Sequence, residues 1–143
     1  MTSDYSVSKA SEEEKSYIRR RLIEYNSEHI SEELKSRYEE INLTVKDGDG
    51  HILGGLIGVL CWNWVEVDIL WVDPGCRNQG YGKMLLSKVE TIAAERNCTF
   101  IKLNTFSFQA PDFYRKNGYI EYASLEEAPT GHTHYFFRKD ITN

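Results

Sequence analysis

The chain has 143 residues, of which 41% are hydrophobic and 27% are charged, and its formal net charge is -5. This length and hydrophobic content fit one globular domain over residues 1–143, and the negative charge argues against a protein that binds nucleic acid by neutralising phosphates. No stretch is long and apolar enough to span a membrane, and the N-terminus is too polar for a secretory signal. We therefore expect a cytoplasmic protein with no nucleic-acid or membrane partner.

The first part of the chain is predicted to be helical and the next part to form strands. Ser11 and Glu14 have the spacing of a capping box, and apolar residues follow at helical spacing. A second, shorter helix is expected between residues 27 and 40. Asp47-Gly48-Asp49-Gly50 then joins two β-rich runs, which predicts an antiparallel hairpin.

A third strand is predicted in "WNWVEVDILWVDP". Its alternation predicts one covered face, formed by Val65, Val67, Ile69 and Trp71. The other face changes along the strand from acidic to apolar, from Glu66 and Asp68 to Leu70 and Val72. We therefore expect half of this second face to border a cavity.

The rest of the chain alternates between helices and strands. A strong amphipathic helix is predicted from Gly80 onward, followed by a strand, a short helix closed by Gly118, and two final strands. The element order indicates an α+β or α/β fold with a single sheet and helices on both faces.

The stretch "CRNQGYGKMLL" carries the main functional signal. Gly75 and Gly80 have the spacing of a P-loop, but Tyr81 replaces its lysine, and a dinucleotide fingerprint would need a third glycine. What remains is a loop of backbone amides that leads directly into a helix N-terminus, which favours an anion, with Arg77 able to pair with phosphate oxygens. The pattern fits a diphosphate site, although a plain strand-to-helix turn would look similar.

Two motifs together resemble the GNAT superfamily of N-acetyltransferases. Residues 77–82, RNQGYG, resemble that family's coenzyme A pyrophosphate motif, and residues 113–119, FYRKNGY, resemble its second recurrent stretch. The resemblance implies a mixed, mostly antiparallel sheet that splays open at the cofactor site and binds acetyl-CoA as cosubstrate. It also implies a cofactor site on the loop and helix start, formed by Arg77, Asn78, Gln79, Gly80, Tyr81, Gly82 and Lys83.

The resemblance implies roles for further residues. The strand segment Leu70, Trp71 and Val72 would line the pantetheine arm, with the amide of Val72 polarising the thioester carbonyl. Tyr114 matches the family tyrosine that assists departure of the thiolate, and a phenol stays neutral near pH 7. Ser107 stands where many relatives have an asparagine that contacts pantetheine, so Asn104 or Gln109 is expected to take that role.

Deprotonation of the acceptor amine leaves three alternatives. Glu66 lies on the strand that enters the motif, where some family members carry a glutamate base. Together with Tyr114 it is therefore predicted to be catalytic. Asp68, predicted on the same face, and water are the other two. The His132 and His134 pair lacks a third ligand, so no metal is expected.

The sequence thus predicts an acetyl-CoA-dependent N-acetyltransferase that acts by direct attack on the thioester. The acceptor is expected to be a small-molecule amine, with the acidic balance favouring a cationic one, and relatives suggest a homodimer. The alternatives are acetylation of a protein or peptide amine, a non-catalytic acyl-CoA binding or sensing module, and a pure interaction domain.

Overall fold

A computed structural model describes residues 3–141 of the chain. The chain forms two compact units, Met1–Ser36 and Arg37–Asn143. The first two and last two residues of the chain lie outside the described part. A single domain over residues 1–143 stays a prediction. No helix among the described residues is long and apolar enough to cross a membrane.

The first unit contains two helices, α1 (Glu12–Ser27) and α2 (Glu32–Lys35). The predicted capping box at the start of α1 is confirmed. The Glu14 amide donates to Ser11 Oγ at 3.1 Å, and the Ser11 amide donates to a Glu14 carboxylate oxygen at 2.8 Å. These two bonds satisfy amides that have no partner within the helix, which fixes where α1 begins.

The second unit is one six-stranded sheet with two helices and a short 3-10 turn. Its elements are β1 (Tyr38–Lys46), β2 (Ile52–Cys61), β3 (Trp64–Val72), the turn Pro74–Cys76, α3 (Tyr81–Glu95), β4 (Phe100–Phe106), α4 (Pro111–Lys116), β5 (Ile120–Glu126) and β6 (Thr133–Asp140). The strand order is β1-β2-β3-β4-β6-β5, and only the β3–β4 pair is parallel. The predicted mixed, mostly antiparallel sheet is confirmed.

Helix α3 packs the predicted apolar stripe against one face of the sheet. Its buried residues are Leu85, Leu86, Val89 and Ala93. They belong to one hydrophobic core with side chains from β2, β3, β4 and β6, such as Leu56, Val65, Ile101 and Phe137. Each large apolar side chain buried in this way contributes about 1.5–3 kcal/mol, so this layer anchors the start of α3 to the sheet.

The sheet opens between β3 and β4. The two strands pair from Trp64 opposite Phe100 to Val67 opposite Leu103, and the pairing ends there. Beyond that point β3 continues along β2, whereas β4 continues along β6 as far as Phe106. The splay implied by the family resemblance is therefore a feature of the fold, and within residues 3–141 no strand pairs with the end of β3 on that side.

A β-bulge in β3 makes the predicted covered face wrong at Ile69 and Trp71, whereas Leu70 and Val72 of the other face border a cavity as expected. Ile57 pairs with Ile69 and Gly58 pairs with Val67, so Asp68 is an extra residue in β3. The extra residue shifts the alternation, because side chains change face at every residue in a regular strand. Ile69 and Trp71 are consequently 52% and 45% exposed and lie on the face opposite the core.

Candidate active site

A cavity of about 650 Å³ lies where β3 and β4 separate. Residues 68–72 of β3 form one wall, and the end of β4 with the start of α4 forms the other. The cavity brings together the predicted site residues Leu70, Trp71, Val72, Arg77, Asn78, Gly80, Tyr81, Gly82, Lys83, Asn104, Gln109 and Tyr114. Gln79 and Glu66 are not among the residues that line it.

The backbone of β3 presents unpaired amides to this cavity. The Asp73 amide donates to the Leu53 carbonyl at 2.8 Å, so Val72 and Gly54 form a non-hydrogen-bonded pair of the antiparallel ladder. The Val72 N–H therefore points away from β2. Leu70, two residues earlier, has the same orientation, and β4 does not pair with β3 at this level. These amides can donate to a group bound in the cleft.

The loop before α3 forms an amide-rich end to the cavity. Gly80 is the N-cap of α3, and its φ of 87° is a left-handed conformation that glycine adopts without steric cost. No side chain caps this helix, so the first-turn amides of Tyr81, Gly82 and Lys83 have no partner within the helix. These amides and the helix dipole favour an anion.

Gly82 also lets α4 approach the start of α3. A Cβ at this position would lie 3.1 Å from Phe113 Cζ, closer than ordinary side-chain contacts allow. Phe113 in turn packs edge-on against Tyr114, with ring centroids 5.3 Å apart. The glycine thus sets the distance between the anion-binding loop and the predicted catalytic tyrosine.

Two side chains of the loop are held by local hydrogen bonds. Arg77 Nε donates to the Val72 carbonyl at 3.2 Å, which leaves its terminal nitrogens free for a phosphate. Gln79 accepts a hydrogen bond from the Tyr81 hydroxyl at 3.3 Å. Gln79 therefore stabilises the conformation of the loop and does not line the cavity, whereas Arg77 does line it.

Tyr114 is buried at the opposite wall. Only 6% of its surface is exposed, and its ring packs against Tyr119 and Phe137. Burial raises the pKa of Tyr114 to about 12, because the charged phenolate loses its hydration. The phenol therefore stays protonated across the physiological range and can donate a hydrogen bond or a proton.

Polar residues at the end of β4 and in the loop after it hold the second wall together. The Gln109 side-chain oxygen accepts hydrogen bonds from the Phe106 amide at 2.9 Å and the Thr105 hydroxyl at 3.2 Å. Ser107 accepts a hydrogen bond from the Thr133 amide at 3.0 Å. Asn104 is exposed and contacts His134 Nε2 at 2.9 Å. The side-chain oxygen of Gln109 is thus used within the loop. The side-chain nitrogen of Asn104 remains available to a ligand, because its contact with His134 uses the oxygen.

The two acidic candidates differ in position. Glu66 is paired with β4 just before the splay, and its carboxylate lies 3.7 Å from Lys102 Nζ. Asp68 is the bulge residue, is exposed, and lines the cavity. Glu66 thus lies one residue before the last paired residue of β3, and it does not line the cavity.

The sequence model of the acetyltransferase (GNAT) family matches residues 6–119. The chain belongs to this family. Blasticidin-S acetyltransferase of Streptomyces morookaense is 37% identical over 110 residues, which cover 76% of this chain and 81% of that protein. The crystal structure of an acetyltransferase from Bacillus cereus ATCC 14579 matches with a TM-score of 0.91 and 41% identity, covering 96% of this chain and 98% of that one. The GNAT chain described here is therefore an acyltransferase enzyme.

A more distant match shares the GNAT fold. A crystal structure from Bacillus anthracis str. Ames, which contains acetyl coenzyme A, has a TM-score of 0.66 and 20% identity. The match covers 79% of this chain and 69% of that chain. At this identity the likeness is one of fold.

Several residues of this GNAT cavity were missed by sequence reasoning. They are Ile69, Thr105, Phe106, Phe108, Ala110 and Phe113. The aromatic ones stand in "FSFQAPDF", a run whose alternation gave no indication of where β4 separates from β3. The separation itself depends on long-range pairing, so no local signal in that run could have identified them.

Among residues 3–141, the one cluster of potential metal ligands in this GNAT chain lies far from the motif residues in sequence. Asp47, Asp49 and His51 form it in the β1–β2 turn, and all three are exposed. Asp47 already accepts hydrogen bonds from the amides of Asp49 and His51, both at 2.9 Å. These bonds stabilise the hairpin turn, and His132 and His134 are not part of the cluster.

Proposed function

We propose that this enzyme transfers the acetyl group of acetyl-CoA directly to an amine of a small molecule. The observation that carries the proposal is the cleft itself. Unpaired amides of β3, an uncapped helix start and a buried, protonated tyrosine all border one cavity. This combination offers donors for a diphosphate, for a developing oxyanion and for a leaving thiolate.

The choice of acetyl-CoA rests on the anion-binding end of the cavity and on relatives. The first-turn amides of α3 and the Arg77 guanidinium would hold the pyrophosphate, and Leu70 to Val72 would lie along the pantetheine arm. The Bacillus anthracis structure of the same fold contains acetyl coenzyme A. Acetyl-CoA supplies a thioester whose carbonyl carbon accepts the amine.

The residues of the cleft would then act in sequence. Glu66, which is close in sequence to the point where β3 and β4 separate but does not line the cavity, takes a proton from the acceptor ammonium through a bridging water. The Val72 amide donates to the oxyanion that develops as the free amine attacks the carbonyl. Tyr114 donates its proton to the departing sulfur and is reprotonated by the second proton that the attacking nitrogen loses, so that one amide bond forms and one thioester bond breaks. No residue of the enzyme is acetylated along this route.

A small-molecule acceptor is supported by the similarity to blasticidin-S acetyltransferase. The cavity of about 650 Å³ has a size suited to small ligands. The predicted cytoplasmic location and homodimer stay predictions.

The test combines binding and turnover with the full chain. Titration calorimetry measures acetyl-CoA binding, and a thiol reagent follows CoA release in the presence of polyamines, aminoglycosides, amino acids, short peptides and blasticidin S. We expect acetyl-CoA to bind and at least one small amine to release thiol. Binding without release on any amine would favour a sensing module, and release only with peptides would favour a protein acceptor.

A further inference from the structure

The cavity has two sides, which follow from the two faces of the splayed sheet. Leu70 and Val72 pair with Leu56 and Gly54 on the core side, where Tyr114 and the start of α3 also lie. The opposite side is lined by Trp71 from β3 and by aromatic residues at the end of β4. If the cosubstrate occupies the core side, the acceptor must reach the thioester from this aromatic side.

A series of aromatic rings leads to that side of the cavity. Phe136 and His134 have ring centroids 4.4 Å apart, and His134 stacks on Phe106 at 4.3 Å. Phe106 stacks on Phe108 at 5.4 Å with an interplanar angle of 3°. Phe108 lines the cavity, is 57% exposed, and also packs edge-on against His132, with ring centroids 4.8 Å apart. More than half of the Phe108 surface is therefore open to a ligand in the cavity.

The loop that carries Phe108 is held in place by hydrogen bonds on both sides. The Ser107 amide donates to the Thr133 carbonyl at 2.8 Å, and the Thr133 amide donates to Ser107 Oγ at 3.0 Å. The Gln109 amide donates to the Phe106 carbonyl at 2.8 Å. The ring of Phe108 is therefore exposed on a fixed support, and Trp71 lies on the wall across the cavity. Two exposed aromatic rings that line the same cavity, one of them on a fixed loop, suit a planar ligand.

A carboxylate stands on the same side. Asp68 is pushed out of the regular ladder by the bulge, and it lines the cavity. Its carboxylate takes part in none of the ion pairs among residues 3–141, whereas Glu66 is close to Lys102. The carboxylate of Asp68 would attract a positively charged group of the ligand. The faces of the aromatic rings carry partial negative charge and would attract the same group.

We propose that the acceptor is a cationic amine that carries a planar ring, with the ring held by Phe108 and Trp71 and the positive charge paired with Asp68. The proposal rests on the function proposed above and deepens it by naming the acceptor class. Aliphatic polyamines and saturated rings would fit the same charge but would lose the stacking contact.

The test compares two amines with the same ethylamine chain, phenethylamine with a planar aromatic ring and cyclohexylethylamine with a saturated ring. Dissociation constants are measured by calorimetry on the full chain saturated with CoA, which allows binding without chemistry, and kcat/KM is measured with acetyl-CoA. We expect phenethylamine to bind about 3- to 10-fold more tightly and to show a similar advantage in kcat/KM. Equal affinities, or no binding of either amine, would overturn the proposal.

Variants assign the preference to residues. Phe108→Ala should remove the advantage of the planar amine and leave the KM for acetyl-CoA unchanged, while Phe108→Tyr should retain it. Tyr122→Ala is the matched control, since Tyr122 is 55% exposed but does not line the cavity. If Phe108→Ala kept the advantage, or Tyr122→Ala lost it, the assignment to Phe108 would be wrong.

The charge contact has its own comparison. Wild-type protein should bind phenethylamine about 5-fold more tightly than the uncharged phenethyl alcohol, and Asp68→Asn should abolish that difference. An unchanged difference in the variant would remove Asp68 from the proposal. The two proposals can fail separately. Thiol release without a preference for the planar amine would contradict only the proposed acceptor class. Tighter binding of the planar amine without thiol release on any amine would contradict only the proposed acetyl transfer.

Discussion

Arg77 Nε donates a hydrogen bond of 3.2 Å to the carbonyl oxygen of Val72. The bond ties the anion-binding loop to the end of β3, where the Val72 amide faces the cavity. A single side chain thereby fixes the distance between the end that holds a diphosphate and the amide aimed at the thioester. Positioning of this kind matters because the reaction slows strongly when a catalytic group or the substrate is displaced by even a short distance.

Replacement of Arg77 should affect both cosubstrate binding and turnover. We expect Arg77→Ala to raise the KM for acetyl-CoA about 10- to 100-fold, because it removes a charge-assisted contact to phosphate, and to lower kcat as well. Arg77→Lys should restore the KM for acetyl-CoA only in part, because lysine lacks the guanidinium fork that can bond the Val72 carbonyl and a phosphate at the same time. Steady-state kinetics check this, with Lys46→Ala as a control for loss of positive charge. Wild-type values in Arg77→Ala would exclude the contact.

Removal of the Tyr114 hydroxyl should affect the chemical step. We expect Tyr114→Phe to lower kcat about 100-fold with little change in either KM, because a general acid is lost while the buried ring is kept. Tyr119→Phe is the matched control, since it too is a buried tyrosine, and its hydroxyl bonds Glu90 at 3.3 Å. That variant should lose about 1 kcal/mol of stability and keep kcat. An equal loss of kcat in both variants would indicate a structural effect.

The raised pKa of Tyr114 predicts a loss of stability at alkaline pH. The pKa rises from 10.0 to about 12 on folding, so the folded state favours the neutral phenol. This contribution is fully present below pH 10 and is lost as the pH rises toward 12, with about 1 kcal/mol gone by about pH 11.

Urea unfolding at about pH 9 and about pH 11 measures this loss. The decline in unfolding free energy should be smaller in Tyr114→Phe than in wild type. Part of it should persist in the variant, because burial and Glu90 also raise the pKa of Tyr119. An identical decline in both proteins would show that Tyr114 titrates normally.

Gly82 should tolerate no side chain without a cost to cosubstrate binding. In Gly82→Ala the added Cβ would lie 3.1 Å from Phe113 Cζ, so the Phe113 ring, which packs on Tyr114, would have to shift by a few tenths of an ångström. We expect a KM for acetyl-CoA raised about 10-fold, or about 1.4 kcal/mol. Gly75→Ala is the control, since its Cβ would meet only Asp73 at an ordinary 3.4 Å. Similar kinetics in both variants would contradict this role of Gly82.

The role of Glu66 predicts a pH-dependent defect. We expect Glu66→Gln to lower kcat/KM about 100-fold near neutral pH, where the amine is protonated, and much less as the pH approaches the pKa of the amine. Asp68→Asn should instead raise the KM of the acceptor at every pH. A pH-dependent defect in Asp68→Asn alone would assign the base to Asp68, and its absence from both variants would assign proton removal to water.

The sequence predicted much of this fold because its signals are local. The capping box of α1, the Asp47–Gly50 hairpin and the apolar stripe of α3 each depend on neighbouring residues, and each is present in the structure. The glycine loop followed by a helix was also predictable, since spacing alone identifies it. These elements account for the anion-binding end of the cavity.

The remaining part of the site depends on pairing between distant residues. Regular alternation gave no sign of the bulge at Asp68, which moves Ile69 and Trp71 away from the core and turns Trp71 toward the cavity side opposite Tyr114. The exposure of Phe108 likewise depends on hydrogen bonds to β6, 26 residues away for Ser107 and Thr133. Sequence reasoning therefore identified the cosubstrate side better than the acceptor side.

The most direct measurement of the central claim follows a labelled acetyl group from acetyl-CoA to its acceptor. Mass spectrometry would record the amine product and the intact enzyme in the same reaction, with wild type and Tyr114→Phe side by side. We predict one labelled acetyl group on the amine nitrogen for each CoA thiol released, an unlabelled enzyme, and slower product formation in the variant. Thiol release without an acetylated amine, or a labelled enzyme that passes its acetyl group on, would contradict the account.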